Sequence, residues 1–197
     1  VQFIFDVSGS MEDYRVSVPG SSYPDNGIGL ERYAAAQMLA AHPEIQNVQI
    51  VLFSDHASHT VWMTATAALA YIQNGNNFNG GGATNYDLAL TEAMSAYDAS
   101  ARPLPQGDQT LLYFFSDGGP NQPYNGAGID GNGSGSNVSV AEWEAFVNAA
   151  AHDISNVFAV GVGSITPGEL SQLLPISYPN TDTQAPLGQE DNYLSIG

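Results

Sequence analysis

Three observations predict an α/β fold with a doubly wound, mostly parallel central sheet, helices on both faces and one antiparallel edge strand. Short apolar, β-rich runs recur along the chain, as at Val1–Phe5, Val48–Phe53, Gln109–Phe115 and Val157–Val162. Helix-patterned stretches lie between them, so successive strands need crossovers and run parallel. The chain has 197 residues, enough for one domain of this class with a core on each face.

Each element has its own warrant. Val1–Phe5 ("VQFIF") reads as a buried strand that runs directly into Asp6, Ser8 and Ser10. Residues 12–28, rich in Gly, Pro, Ser and Asp, read as a loop inserted before the first helix. Alanine content and apolar spacing predict that helix from Leu30 to Ala41, stopped before Pro43. Val48–Phe53 is the second strand. His59–Met63 follows after a short polar turn and is expected to pair with it antiparallel. Helices are expected at Thr66–Asn74 and Asn85–Ser100, the second behind the glycine-rich "NFNGGGATNYD". Gln109–Phe115 is the fourth strand and ends in "SDGGPN"; a long loop separates it from a helix at Ala141–His152. A strand at Val157–Val162, a short helix at Glu169–Leu174 and a closing strand at Tyr193–Ile196 complete the chain. The chain opens inside a strand, with no signal-peptide pattern and no internal repeat, and residues 1–197 are expected to be a single domain excised from a longer protein.

Composition narrows the function. Twenty acidic residues face three arginines and no lysine, for a formal charge of −17. Nucleic acid, which is bound by neutralising phosphates, is excluded as a partner, and no apolar run is long enough for membrane insertion. Without lysine there is no phosphate-binding P-loop and no Schiff-base chemistry. Without cysteine there is no disulfide framework, thiol nucleophile or thiolate metal site. Acidity of this degree suits multivalent cations and a calcium-containing exterior.

Three stretches carry the chemistry: Asp6-Val7-Ser8-Gly9-Ser10-Met11 after the first strand, Gly82-Ala83-Thr84-Asn85 before a helix, and Phe115-Ser116-Asp117-Gly118 after the fourth strand. In open parallel sheets ligands bind outside the carboxyl ends of the strands, at the point where strand order reverses. Hydroxyls and carboxylates gathered there are hard oxygen ligands, suited to Mg²⁺ or Ca²⁺. Together the three stretches resemble the von Willebrand factor type A domain and its metal-ion-dependent adhesion site. "FFSDGGPN" and "FAVGVGS" are also similar to members in bacterial repeats-in-toxin adhesins. The resemblance implies that Ser8 and Ser10 coordinate a divalent cation directly and Thr84 directly or through water. Asp6 and Asp117 would coordinate it often through water. It also implies a coordination position that an acidic group of a partner can fill.

Weaker signals stand beside this one. Gly126–Gly131 spells GxGxxG but lies mid-loop and opens no helix. "IDGNGSGSN" places Asp130, Asn132 and Ser134 at alternate positions, without the downstream acid of a calcium loop. His56 and His59 would point to opposite faces of a strand. Tyr14, Arg15 and Tyr23 are candidates for the rim of the metal site, with packing the plainer reading for the two tyrosines. A haloacid-dehalogenase-type phosphatase would need a second Asp where Ser8 stands, and a lysine; a serine hydrolase would need a Gly-x-Ser-x-Gly turn. The expectation is therefore a non-enzymatic, metal-dependent adhesion module of a secreted bacterial surface adhesin. As an isolated domain it should be monomeric, engaging a protein or other acidic ligand and flanked by neighbouring domains of its parent. The alternatives are a structural metal-binding domain that docks within its own protein and a metal-dependent hydrolase.

Overall fold

The computed structural model describes residues 1–19, 22–99, 108–117, 119–121, 138–179 and 193–196. Seven strands form one sheet: β1 (Gln2–Asp6), β2 (Asn47–Phe53), β3 (Ala57–His59), β4 (Met63–Thr64), β5 (Thr110–Ser116), β6 (Ile154–Val162) and β7 (Tyr193–Ile196). Their order is β3-β2-β1-β5-β6-β7, with β4 also paired to β2. All pairings from β2 through β1, β5 and β6 to β7 are parallel, whereas β3 and β4 lie antiparallel on β2. The expected architecture is present, and its antiparallel edge is made of two short strands rather than the single strand at His59–Met63. Between them the chain leaves the sheet and turns Trp62 onto the ring of Tyr97, 5.7 Å away.

Strand alternation divides the core. Phe3 and Phe5 face Ile28, Ala35 and Leu39 of α2 (Gly27–Ala41) and Ala68 and Ile72 of α3 (Ala65–Gln73). Ile4, Phe53 and Phe114 face α4 (Tyr86–Ala99) and α5 (Val140–Val147), meeting Tyr86, Leu90, Trp143 and Phe146. Each large side chain taken fully from water contributes about 1.5–3 kcal/mol, and the rings of Phe53, Tyr86 and Phe114 lie within 6.1 Å of one another. The strands are less uniformly apolar than expected. Gln2 and Gln49 are buried side by side, Gln2 donating to Gln49 at 2.8 Å and to the Ala93 carbonyl at 3.0 Å, and Gln49 to that of Ala96 at 2.9 Å. These bonds tie the alanine-rich face of α4 to the strands beneath it.

Helix ends follow local chemistry. Asn26 caps α2 by accepting from Gly29 N, Thr64 caps α3, and Ser139–Glu142 and Thr166–Glu169 form capping boxes at α5 and α6 (Pro167–Leu173). The Arg32 guanidinium donates to the Ile72 and Gln73 carbonyls, placing a cation at the carboxyl end of α3.

One expectation is corrected. Residues 12–28 are not loop throughout: α1 (Gly9–Asp13) follows Ser8 at once and α2 already starts at Gly27, so the insertion is confined to residues 14–26. A one-turn helix is too short for periodicity to reveal it. Residues 125–137, with the GxGxxG and the Asp130-Asn132-Ser134 pattern, lie outside the described residues, as does Gly118.

Candidate metal centre

In sequence order the parallel strands lie 2-1-3-4-5 across the sheet, so strand order reverses between β1 and β5. Asp6 ends β1 and Asp117 follows β5, which sets both carboxylates at that reversal. The turn after β1 builds itself: Asp6 Oδ1 accepts from Ser8 N at 2.9 Å, an Asx-type turn, and Ser8 then stands at the N-cap of α1. The Ser8 and Ser10 hydroxyls lie 3.1 Å apart. Gly9 N donates to Gly82 O at 3.1 Å and Gly81 N to Val7 O at 2.9 Å, which pins the Thr84 loop to this turn. Gly82 stands at φ +80°, where any side chain is strained, and a β-carbon there would collide with Asp55 Oδ1. Asn121 clasps Thr84 from the other side, accepting from Thr84 N on its side-chain oxygen and donating its own N–H to Thr84 O, both at 3.0 Å. The three predicted stretches therefore meet.

A buried relay fixes Asp6. Tyr86 OH donates to Ser116 Oγ at 2.8 Å, and Ser116 Oγ donates to Asp6 Oδ2 at 2.5 Å. Asp6, Ser8 and Ser116 are fully buried and Thr84 nearly so, while Ser10 is exposed and Asp117 partly exposed. Burial, reinforced by the charge of Asp117, raises the Asp6 carboxyl to about 7 against the opposing bonds from Ser116 and Ser8. Asp117 is also raised by burial, opposed by the Ser10 hydroxyl, and its buried Oδ1 has no hydrogen-bond partner.

Ser116, Tyr86 and Asn121 brace Asp6 and Thr84, roles the sequence did not assign although Ser116 and Asn121 stand in the stretches it singled out; Glu31, buried on α2, was not singled out at all. Glu31 had the one readable signal: it sits three residues after Ile28 and four before Ala35, on the buried stripe of α2. Its carboxyl is pushed well above the ordinary range by burial and then by the charge of Asp6.

The donor set consists of two carboxylates and three hydroxyls. Oxygen donors with an unpartnered buried carboxylate oxygen fit a hard divalent cation. Among the described residues no three His, Cys, Asp or Glu side chains form a metal-holding group; hydroxyls make up the majority of this site. The histidines stand apart from it, His56 bonded to Asp55 and His59 to Glu92, each at 2.7 Å. The inserted segment folds away on two sides. Tyr14 lays its ring on Gly163 and reaches Ser164 Oγ at 3.3 Å, while Tyr23 packs edge-on against Tyr33 and beneath the Arg32 guanidinium. Tyr23 is thus a packing residue, and Arg15 is exposed beside Asn26, to which it is bridged.

Solved structures share this fold. The pilus adhesin SpaC from Lactobacillus rhamnosus GG, in an open conformation, is 16% identical at a TM-score of 0.60, over 100% of this chain and 27% of its own. The PilB minor pilin from Streptococcus sanguinis is 17% identical at 0.60, over 89% of this chain and 54% of its own. Proximal thread matrix protein 1 from the mussel byssus, with a zinc-occupied metal-ion-dependent adhesion site motif, is 16% identical at 0.62, over 91% and 41%. The chain thus spans between about a quarter and about half the length of these proteins. No curated protein matches the sequence. The model of the von Willebrand factor type A domain matches residues 30–185, a stretch that contains Thr84 and Asp117 and begins after Asp6, Ser8 and Ser10. That match covers well over half of the sequence, and the chain belongs to the von Willebrand factor type A domain family.

Proposed function

We propose that this domain is a divalent-cation-dependent adhesion module, non-enzymatic and exposed at the bacterial cell surface. The observation that carries the reading is the meeting of Asp6, Ser8 and Ser10 with Asp117 at the strand-order reversal, where a buried carboxylate oxygen lacks a partner. Ser8, Ser10 and Thr84, with Asp6 and Asp117, would hold Mg²⁺ or Ca²⁺. When bound, the ion supplies an electrophile that a carboxylate of the partner can ligate. This chain's residues do the rest: the Tyr86–Ser116 relay orients Asp6, and Asn121 holds Thr84 in place. No histidine, lysine or cysteine stands in the matched motifs to act as base or nucleophile, which supports a binding role over hydrolysis.

The surroundings select the partner. Glu12, Asp13 and Asp55 are exposed beside these loops, and the charge of Glu169 acts on Asp117. Screening trims this repulsion beyond about 8–10 Å in physiological salt, so a single acid set among neutral or basic groups suits the site better than a polyacidic tract. The adhesin and pilin neighbours support a surface location and protein partners or adjoining domains; among the described residues no helix is long and apolar enough to cross a membrane. The repeats-in-toxin kinship rests on the two sequence stretches alone. A second reading, docking within the parent protein, is supported by the small share of each neighbour that this chain spans.

The test is calorimetric and thermal titration with Mg²⁺ and Ca²⁺. At one hundred times its dissociation constant a cation bound only by the folded state adds about 2.7 kcal/mol of stability, and Asp6→Ala should abolish the gain. A gain that survives in Asp6→Ala refutes the site. Capture of intact cells that is lost in EDTA supports the external adhesin, and capture of parent-protein fragments alone supports internal docking.

A further inference from the structure

Glu31 has no role in the cation set above, yet its environment is unusual. Its side chain is fully buried, and neither carboxylate oxygen has a hydrogen-bond partner. A carboxylate held this way costs several kcal/mol unless something compensates it. The obvious compensator is its neighbour Arg32, but no ion pair joins the two. Arg32 donates instead to the Ile72 and Gln73 carbonyls at 2.8 and 3.1 Å and lies 4.8 Å from the centre of the Phe78 ring.

Position explains what Glu31 faces. Asp6 lies in phase with Ile4, so its side chain leaves β1 on the α4 side, where Ser116 and Tyr86 hold it. Glu31 comes from α2, on the opposite side of the sheet. α2 is held tightly against α1: a β-carbon at Gly27 would stand 2.9 Å from Met11 O. Burial and then the charge of Asp6 raise the Glu31 carboxyl, the Asp6 backbone amide and then Arg32 oppose the rise, and the charge of Asp117 adds least to it. Glu31 thus lies by the Asp6 backbone amide, one turn beyond the α1–α2 contact, and on the face of the sheet opposite the Asp6 side chain.

We propose that Glu31 is a third carboxylate of the centre, an outer-sphere positioning residue whose buried oxygens accept hydrogen bonds from the water shell of the cation. This rests on the cation reading above. An ion brings what Glu31 lacks, a positive charge and oriented O–H donors, and buried oxygens without partners are where ordered water or an ion belongs. Outer-shell groups of metal sites change metal affinity about 10–100-fold when replaced, although they do not touch the metal.

The experiment compares the wild type, Glu31→Gln, Asp6→Ala and, as a charge control at an exposed position, Glu144→Gln. Mg²⁺ and Ca²⁺ affinities are read by calorimetry and melting temperatures in EDTA. Glu31→Gln keeps the size of the side chain and removes its charge. It is expected to bind each cation at least tenfold more weakly than the wild type, with a melting temperature in EDTA that is unchanged or higher. Glu144→Gln should bind as the wild type does. A purely structural acid would give the reverse pattern, a lower melting temperature in EDTA at unchanged affinity, and that result overturns the proposal. Failure of Glu31→Gln to fold in EDTA overturns it too, since a neutral amide of the same size should be tolerated where burial already favours the neutral acid. If the wild type itself binds neither cation, the cation reading fails and takes this inference with it. If the wild type binds and Glu31→Gln matches it within twofold, only the role of Glu31 falls.

Discussion

Replacing Ser116 by alanine removes one oxygen from the join between three elements. Its hydroxyl accepts from Tyr86 OH, at the start of α4, at 2.8 Å, and donates to Asp6 Oδ2, at the end of β1, at 2.5 Å. All three side chains are fully buried, so bulk water does not replace what is lost. A neutral buried hydrogen bond contributes about 1 kcal/mol and one to a charged group about 1.5–3. The expected destabilisation of Ser116→Ala is therefore about 3 kcal/mol, which for a domain of this size lowers the melting temperature by roughly 10 °C. Tyr86→Phe removes only the first bond and should cost about 1 kcal/mol. In the double variant the Tyr86 hydroxyl no longer needs an acceptor, so the combined loss should fall short of the sum by about 1 kcal/mol. The assay is urea unfolding of the four proteins in EDTA, followed by cation titration. There Ser116→Ala should bind about 10–100-fold more weakly because Asp6 has lost the group that orients it. A loss below about 0.5 kcal/mol for Ser116→Ala, or strict additivity in the cycle, would refute the relay.

Two further predictions follow from the same neighbourhood. Burial, and then the charge of Asp117, raises the Asp6 carboxyl from the ordinary 3.8 to about 7 in the folded protein; between these values the unfolded chain has lost a proton that the folded one keeps. Stability in EDTA should therefore fall as pH rises from 4 to 7, by up to about 1.4 kcal/mol per pH unit from this group. Melting curves of wild type and Asp6→Asn across that range test it, and parallel slopes would be the contrary result. Gly163 stands at φ +92° with the Tyr14 ring 2.7 Å from where a β-carbon would lie. Gly163→Ala should thus cost about 1–3 kcal/mol and loosen the inserted segment, read as faster proteolysis within residues 14–26; unchanged stability and cleavage would count against that docking.

The sequence by itself determined the fold class, the course of most strands and helices, and the three stretches that meet at the centre. Each of these is written locally: apolar runs mark Gln2–Asp6 and Asn47–Phe53, Pro43 stops α2 within two residues, and donor spacing marks Asp6, Ser8 and Ser10. Local pattern also came close to the antiparallel edge, where it read one strand for β3 and β4, but it had no means to resolve a helix as short as α1. What only the tertiary structure decided is what surrounds the donors. Ser116 meets Asp6 across 110 positions and Asn121 meets Thr84 across 37. Glu31 reaches the same strand ends from the other face of the sheet. An acid in an alanine-rich helix and a serine at the end of a strand look like ordinary solvated or turn-forming residues in one dimension. Their roles arise from burial and from strand order, which places β5 next to β1, and neither is a property of the neighbours in sequence.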